Sequence, residues 1–187
     1  LQALTHQQQP GGVMEERYLD FVYQPIRGPE GAVTGIFVQG HDITEQMRAQ
    51  AALQESEARF RNMADHAPVM MWVTDGSGAC TYLSKGWYAF TGQTQETGLG
   101  LGWRSAVHPE DAALAERTFL EASARHAPFH IDYRLRREDG EYRWAIDSAA
   151  PRLGPSGELL GYIGSVIDIT ERKAAEEEVK RVNQGLE

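Results

Sequence analysis

The clearest pattern along the chain is an alternation of apolar and polar side chains from Phe129 to Arg137. Such alternation predicts a β-strand with one buried face and one wet face. Apolar runs bounded by glycine, proline or Asp-Gly turns predict further strands. These cover residues 17–25, 33–41, 69–74, 79–83, 142–149 and 159–168, with a weaker strand in the polar segment 2–9 and a turn at 10–12.

Charged segments with apolar residues three and four positions apart predict the helices. A long helix is expected from Thr44 to about residue 65, and another begins at Thr170. Between them, a short helix is predicted at 84–91 and a longer one at 108–124, with proline at its first helical position. This order predicts an α+β fold, in which a five-stranded antiparallel sheet carries short helices on one face and is flanked by N- and C-terminal helices.

The long first helix and the last helix each carry a narrow apolar seam. Leu53 and Phe60 belong to the first seam, and Val179, Val182 and Leu186 to the second. Spacings of three and four residues suit packing against a parallel helix of a second copy, whereas an ordinary amphipathic helix would lay the same seam on its own domain. The spacing favours a homodimer, and both interpretations stay open.

The sequence contains an internal repeat centred on Asp-Ile-Thr-Glu, which occurs at 42–45 and again at 168–171. Each copy follows an apolar strand-like segment and precedes a charged helical one. Gly-Pro-x-Gly also occurs twice, at 28–31 and 154–157, so both motifs share an offset of 126 residues. Over the eighteen positions that join the two motifs, eight are identical, which is far above chance.

At this offset the chain holds one whole unit and the tail of another. Residues 1–45 are predicted to be the C-terminal strands of a truncated first unit, and 46–66 a linking helix. Residues 67–170 form the complete unit, and 171–187 begin an output helix.

Composition restricts the class of partner. A net charge of −9 and an isoelectric point near 5.2 argue against nucleic acid or an anionic membrane, because a polyanion must be met by clustered lysine and arginine. The single cysteine, Cys80, excludes an intrachain disulfide and is compatible with the cytosol. The longest apolar run, 67–73, is too short to span a bilayer. We expect a cytoplasmic piece of a longer protein, which could carry a membrane anchor elsewhere.

The sequence contains fragments of catalytic motifs but no complete one. The glycines at 98, 100 and 102 suggest a phosphate loop, but they follow a predicted helix and no lysine comes after them. Ser165 lacks the second glycine of a nucleophile elbow. No cluster of histidine, cysteine or acidic residues has the spacing of a zinc or calcium site. Neither catalysis nor a bound metal is therefore expected of this fragment.

Several short motifs stand in the order in which they occur in one sensor family. They are Phe60-Arg61, Ala67-Pro68, Asp75-Gly76, Phe90-Thr91-Gly92, His108-Pro109-Glu110-Asp111, Tyr133-Arg134, Asp139-Gly140-Glu141-Tyr142-Arg143-Trp144 and Asp168-Ile169-Thr170-Glu171-Arg172. With the predicted elements, they make residues 60–172 resemble a PAS domain with its C-terminal PAC motif. Residues 1–45 resemble the last three strands of a preceding PAS domain. The whole resembles the tandem sensor region of bacterial signalling proteins, most often histidine kinases of two-component systems.

The resemblance implies a sensory and dimerising module whose sheet and helices can enclose a small ligand. Aromatic residues could line such a pocket, and Arg134 is a candidate anchor for an anion. The candidate pocket is Trp72, Tyr82, Trp87, Phe90, Trp103 and Arg134. Simple filling of a core is the competing interpretation.

The resemblance also bears on two known cofactors. A flavin photosensor of this family needs a reactive cysteine at the start of a helix, whereas Cys80 lies on a predicted strand. A haem-binding member uses a histidine on the long helix, whereas His108 precedes that helix, where capping explains it. Neither flavin–cysteine photochemistry nor haem is expected, and no cofactor is identified.

The resemblance assigns signal relay to the strand-to-helix joints. We expect Asp168 and Thr170 to form the hinge, with Thr170 capping the outgoing helix, Asp168 pairing with a backbone or basic group, and Trp144 packed nearby. Asp42 and Thr44 are their equivalents in the first copy. Two functions follow: a ligand-responsive sensor that regulates a C-terminal histidine kinase or diguanylate cyclase, or a ligand-free spacer that dimerises and passes on signals from elsewhere.

Overall fold

The structure is a computed structural model that describes residues 2–6 and 15–184. The chain divides into two compact units, Leu1–Phe60 and Arg61–Glu187. The end of the linking helix belongs with the second unit, because the Asp65 carboxylate accepts hydrogen bonds from the Tyr82 hydroxyl (2.8 Å) and the Lys85 backbone N–H (2.9 Å).

The first unit is a three-stranded antiparallel sheet followed by a helix. Its strands are β1 (Gln2–His6), β2 (Glu15–Arg27) and β3 (Val33–Asp42), in the order β1-β2-β3. Helix α1 (Thr44–His66) follows directly. Strand β2 is longer than the predicted 17–25, and the turn predicted at 10–12 lies outside the described residues.

Large apolar side chains on this small sheet are exposed to solvent. On β3, Ile36 and Phe37 are 64% and 52% exposed, and on β2 the neighbours Val22 and Tyr23 are exposed as well. Consecutive strand residues point to opposite faces, so both faces of the described sheet carry uncovered apolar surface.

The second unit is built around a five-stranded antiparallel sheet with the order β5-β4-β8-β7-β6. The strands are β4 (Met70–Thr74), β5 (Cys80–Leu83), β6 (Phe129–Arg136), β7 (Tyr142–Leu153) and β8 (Leu159–Asp168). The predicted α+β class and five-stranded sheet are confirmed. The alternation that predicted β6 is also confirmed, since Ile131, Tyr133 and Leu135 are buried while His130 is exposed.

The helices of the second unit lie between β5 and β6 in the chain, and the output helix follows β8. They are α2 (Lys85–Thr91), α3 (Gln95–Gly98), a 3-10 helix (Gly102–Ala106), α4 (Pro109–Arg125) and α5 (Thr170–Gln184). Gly92 ends α2 in the left-handed conformation (φ 71°), which a residue with a Cβ rarely adopts. His108 is the N-cap of α4, and its Nδ1 accepts the Glu110 N–H at 3.2 Å, as its predicted capping role requires.

The core of the second unit lies between the sheet and these helices. Its largest fully buried side chains are Trp87, Tyr133, Leu135, Tyr162 and Val166. The Tyr162 hydroxyl donates to the Ala127 carbonyl at 2.9 Å, so this buried polar group is satisfied. Within residues 2–6 and 15–184, no helix has the length and apolar character needed to cross a membrane.

Candidate functional site

A cavity of about 170 Å³ lies between the sheet of the second unit and its helices. Strands β4, β5, β6 and β7 supply one wall, and α2, α4 and the 3-10 helix supply the other. Aromatic side chains dominate the lining: Trp72, Trp87, Trp103, Phe119, Phe129 and Tyr133. The cavity is therefore mainly apolar, and its few polar groups decide what it can recognise.

Asp147 on β7 is the acidic group at the inner wall of the cavity. Its residue is only 7% exposed. Carboxylate oxygen Oδ1 accepts the indole N–H of Trp72 at 2.9 Å, and Oδ2 accepts the hydroxyl of Tyr133 at 3.2 Å. Burial raises the pKa of Asp147 to about 7, although both hydrogen bonds favour the ionised form.

A glycine allows the indole of Trp72 to reach Asp147. Trp72 lies on β4 and Asp147 on β7, with β8 between them in the sheet. Trp72 pairs with Gly164 of β8, where a Cβ would lie only 2.3 Å from a ring atom of Trp72. Because Gly164 has no side chain, the indole lies across β8 and donates to Asp147.

Cys80 also lines the cavity, as a buried thiol 5% exposed. Its Sγ donates to the Tyr82 carbonyl at 3.3 Å. Burial raises the pKa of the Cys80 thiol to about 11, so it is protonated at neutral pH. A buried neutral thiol packs as a small apolar group and is a weak nucleophile.

The cavity opens to solvent beside an ion pair. Arg104 of the 3-10 helix and Glu116 of α4 both line the cavity, and their side chains are in contact. Leu101 and Leu120 line the same side and are 61% and 57% exposed. This opening is therefore flanked by apolar surface and by charges that already satisfy each other.

The second joint, Asp168–Glu171, binds the start of α5 to strand β7 through Trp144. The backbone N–H of Trp144 donates to the Thr170 hydroxyl at 2.9 Å, and the Ile169 N–H donates to the Trp144 carbonyl at 2.8 Å. Asp168 Oδ1 accepts the Thr170 N–H at 2.8 Å. Ile169 is buried, so the junction of β8 and α5 is fixed to the sheet by hydrogen bonds and by packing.

The first joint, Asp42–Glu45, repeats this network on Tyr18. The Tyr18 N–H donates to the Thr44 hydroxyl at 2.9 Å, and the Ile43 N–H donates to the Tyr18 carbonyl at 2.9 Å. Asp42 Oδ1 accepts the Thr44 N–H at 3.0 Å. The repeat found in the sequence is therefore also a repeat of hydrogen bonds, partner by partner.

The prediction that Thr44 and Thr170 cap their helices by accepting a backbone N–H was wrong. Each hydroxyl accepts the N–H of a residue on a neighbouring strand instead. The aspartate two positions earlier takes the local bond, because its short carboxylate reaches the backbone N–H at i+2.

Trp144 also contacts two cationic side chains. The guanidinium of Arg134 lies 5.7 Å from the centroid of the Trp144 ring, and the Lys173 ammonium 5.2 Å from it. Lys173, in the first turn of α5, also pairs with Asp132 of β6 at 2.6 Å. Arg134 pairs with Asp111 at the start of α4 at 2.8 Å, and this pair lowers the pKa of Asp111. Polar contacts therefore run from α4 across β6 and β7 to α5.

Comparison with known proteins identifies the family of the second unit. Residues 81–166 match the family described as the PAS fold. The N-terminal domain of a diguanylate cyclase with a PAS/PAC sensor from Marinobacter aquaeolei has a TM-score of 0.52 at 25% identity, and the match covers 56% of this chain and 98% of that one. A PAS domain structure from Colwellia psychrerythraea shares the fold, with a TM-score of 0.53 at 21% identity over 64% of this chain and 98% of that one.

The second unit is a PAS domain. An uncharacterised protein, y4lL, of Sinorhizobium fredii is 44% identical over 81% of this chain and 18% of its own length. The peroxide stress-activated histidine kinase mak1 of Schizosaccharomyces pombe is 26% identical over 85% of this chain and 11% of its own length. The chain thus spans less than a fifth of either relative. It contains a PAS sensor domain of the kind found in signal-transduction proteins, histidine kinases among them.

The PAS domain brings together three of the six residues predicted for the pocket. Trp72, Trp87 and Trp103 line the cavity. Asp147 was missed as a cavity residue in the predictions from sequence, although the sequence held a signal. Alternate residues of β7 face the core, and Asp147 stands at such a position between Ala145 and Ala149, where an acidic residue is unusual.

The other three predicted pocket residues lie elsewhere in the PAS domain. The Tyr82 hydroxyl bonds to Asp65 at the end of α1, and the half-buried Phe90 packs against the core on α2. Arg134 points to the polar face of β6, where Asp111 and Glu110 neutralise it, so it is no anchor for a ligand in the cavity. Sequence position alone could not show which way these side chains point.

The apolar seams of the two long helices are exposed. Leu53 is 60% exposed on α1, while Phe60 is half-buried. Val179 and Val182 on α5 are 59% and 51% exposed, and Leu186 lies outside the described residues. Within residues 2–6 and 15–184, no group of three or more histidine, cysteine or acidic side chains is placed to hold a metal ion.

Proposed function

We propose that this chain is the sensory and dimerising region of a longer signal-transduction protein, in which the cavity of the PAS domain is the sensory site and α5 carries the signal to an effector. A histidine kinase is the effector we favour, because several relatives are named as such kinases. The observation that carries the proposal is the second joint, which ties the first turn of α5 to β7 through Trp144.

The joint makes a mechanical route from cavity to helix. Strand β7 carries Asp147 at the cavity and Trp144 at the joint, three residues apart. A strand transmits displacement along its length because its ladder hydrogen bonds resist bending. A ligand that moves Asp147 would therefore shift Trp144 and reorient α5.

A second route follows the ion pairs of the outer face. Helix α4 contributes Glu116 and Phe119 to the cavity and Asp111 to Arg134. Arg134 stacks on Trp144, and Lys173 on α5 contacts the same ring. Movement of α4 relative to the sheet would thus reach α5 through side-chain contacts at the Trp144 ring rather than along the backbone of β7.

We propose in addition that the first sheet is the C-terminal part of another PAS domain. Two observations support this: its joint has the hydrogen bonds of the second joint, and its equivalents of buried PAS positions are exposed. Tyr162 is fully buried, whereas its equivalent 126 positions earlier, Ile36, is 64% exposed. Additional chain that covers this apolar surface would complete the domain.

We propose that α1 and α5 pair with the same helices of a second copy. The exposed Val179 and Val182 lie three positions apart on one side of α5, and none of the described residues of α5 is buried in the single chain. Two such seams brought together would bury their apolar side chains.

A diguanylate cyclase is the second candidate effector, because a structural neighbour is named as one.

The test is the substitution Thr170→Val in the full-length protein. Valine keeps the shape of threonine but removes the hydroxyl that accepts the Trp144 N–H. We expect the PAS domain to remain folded while the response of autophosphorylation to the stimulus is lost. The matched control is Thr34→Val, which removes an exposed hydroxyl on β3. Unchanged regulation in a folded Thr170→Val protein would refute the relay.

A further inference from the structure

The size of the cavity limits its ligand. A cavity of about 150 Å³ lined by apolar side chains accommodates one benzene molecule in another protein. At about 170 Å³, the cavity here holds a single ring with one or two further heavy atoms. Its aromatic lining, Trp72, Trp87 and Trp103 among it, suits a flat ring by stacking and edge contacts.

The charge of the cavity is the second constraint. Among the described residues, no lysine, arginine or histidine contacts the Asp147 carboxylate, whose partners are the Trp72 indole and the Tyr133 hydroxyl. Arg104 is the basic residue of the lining, and it is engaged by Glu116 at the opening. A buried carboxylate without a positive partner is costly, and each of its oxygens can accept a further hydrogen bond.

One kind of ligand group satisfies the charge constraint within the size of this cavity. A cationic nitrogen beside Asp147 would supply the missing charge and donate to the free acceptor positions. The surrounding aromatic faces also attract cations, and they do so most strongly when water is excluded. An anionic ligand would instead meet a buried carboxylate.

We propose that the cavity binds a small organic cation, a single ring that carries a primary ammonium group, with the ammonium paired to Asp147. This inference rests on the proposed sensory role of the cavity and names the chemical class of its ligand. The ring occupies the aromatic part of the cavity, and the ammonium is held at β7. Ligand charge is thereby placed on the strand that leads to Trp144.

Three single-ring probes test the proposal on the whole chain: the isosteric pair benzylamine and benzyl alcohol, and the anion benzoate, which has one more heavy atom. The readout is the indole N–H signal of Trp72 in ¹H–¹⁵N spectra, because this group donates to Asp147. We expect benzylamine to bind about tenfold or more tightly than benzyl alcohol, and benzoate more weakly than both, since a hydrogen bond between charged groups exceeds a neutral one by about that factor.

Asp147→Asn is the decisive variant, and Asp20→Asn, which removes an exposed carboxylate from β2, is its control. In Asp147→Asn the preference for benzylamine over benzyl alcohol should vanish while benzyl alcohol still binds; Asp20→Asn should leave both affinities unchanged. If benzyl alcohol binds but benzylamine binds no more tightly, or if benzoate binds as tightly as benzylamine, the proposal of a cationic ligand is refuted while the cavity remains a binding site. If none of the three shifts any indole signal, the sensory cavity is refuted as well.

Discussion

Replacing Asp147 by asparagine should remove a loss of stability that the PAS domain suffers as the pH rises. The pKa of Asp147 is about 7 in the folded domain, against an ordinary value of 3.8. The folded domain therefore keeps this proton between about pH 4 and pH 7, while the unfolded chain has released it. Because the folded state binds more protons in this window, its stability falls as the pH rises.

The size of the effect follows from the two pKa values. From about pH 5 to about pH 8, ionisation of Asp147 in the folded domain should lower the free energy of unfolding by roughly 2–3 kcal/mol. Asparagine is uncharged and nearly isosteric, its carbonyl can accept from Trp72, and its amide can donate to the Tyr133 oxygen. The variant should thus match the wild type near pH 5 and be more stable by about 2–3 kcal/mol near pH 8.

Urea unfolding followed by tryptophan fluorescence measures this difference. All four tryptophans, Trp72, Trp87, Trp103 and Trp144, lie in the PAS domain, so the signal does not report the first unit. The cavity's other titrating groups do not interfere: burial holds the pKa values of Cys80 and Tyr133 well above 8, and the Arg104–Glu116 pair is common to both proteins.

Two results would refute the reasoning. A stability difference that is the same at both pH values would mean that Asp147 has an ordinary pKa and is open to water. A variant that is less stable than the wild type near pH 8 would mean that a positive group stabilises the carboxylate in the folded protein.

Three further variants test the second route, the α5 seam and the packing of Trp72. Lys173→Met removes one of the two cations at Trp144 and the ion pair with Asp132. It should raise amide hydrogen exchange in the first turn of α5 about fivefold, with a stability cost below about 1 kcal/mol; unchanged exchange there would contradict the second route. Replacing Val179 and Val182 together by aspartate should shift the chain to a monomer in analytical ultracentrifugation, and a persistent dimer would exclude the α5 seam. Gly164→Ala should destabilise the PAS domain by about 2 kcal/mol or more in urea and break the Trp72–Asp147 hydrogen bond, whereas Gly86→Ala in the same domain, whose Cβ would come no closer than 3.4 Å to another atom, should cost far less.

The sequence predicted what local patterns determine. The alternation on β6, the proline at the start of α4 and the glycine after α2 placed their elements within a few residues, because each acts on its own backbone. The internal repeat also located both joints, because each joint is a continuous run of four residues in the sequence.

The cavity and the hydrogen bonds of the joints depend on contacts between residues that are far apart in the sequence. Trp72 and Asp147 are 75 positions apart and meet only because Gly164 leaves room across β8. The Thr170 hydroxyl meets Trp144, 26 positions earlier, where helix propensity alone predicted a local cap. Aromatic residues such as Tyr82 gave no sign in sequence of which side of the sheet they would occupy.

The two joints share their backbone hydrogen bonds but differ in charge, and this difference bears on how the tandem units could act. Where Lys173 contacts Trp144 in the second joint, the repeat places Met47 opposite Tyr18, and the ion pair of the first joint is instead Arg17 with Asp42 at 3.0 Å. In the first joint the aspartate of the motif therefore carries the charge contact to its own sheet. In the second, the helix itself carries that contact, through Lys173 and Asp132. Helix α1 also contacts its own sheet, since the Arg48 guanidinium donates to the Glu16 carbonyl at 3.2 Å. Each helix is thus tied to its sheet through a different side chain.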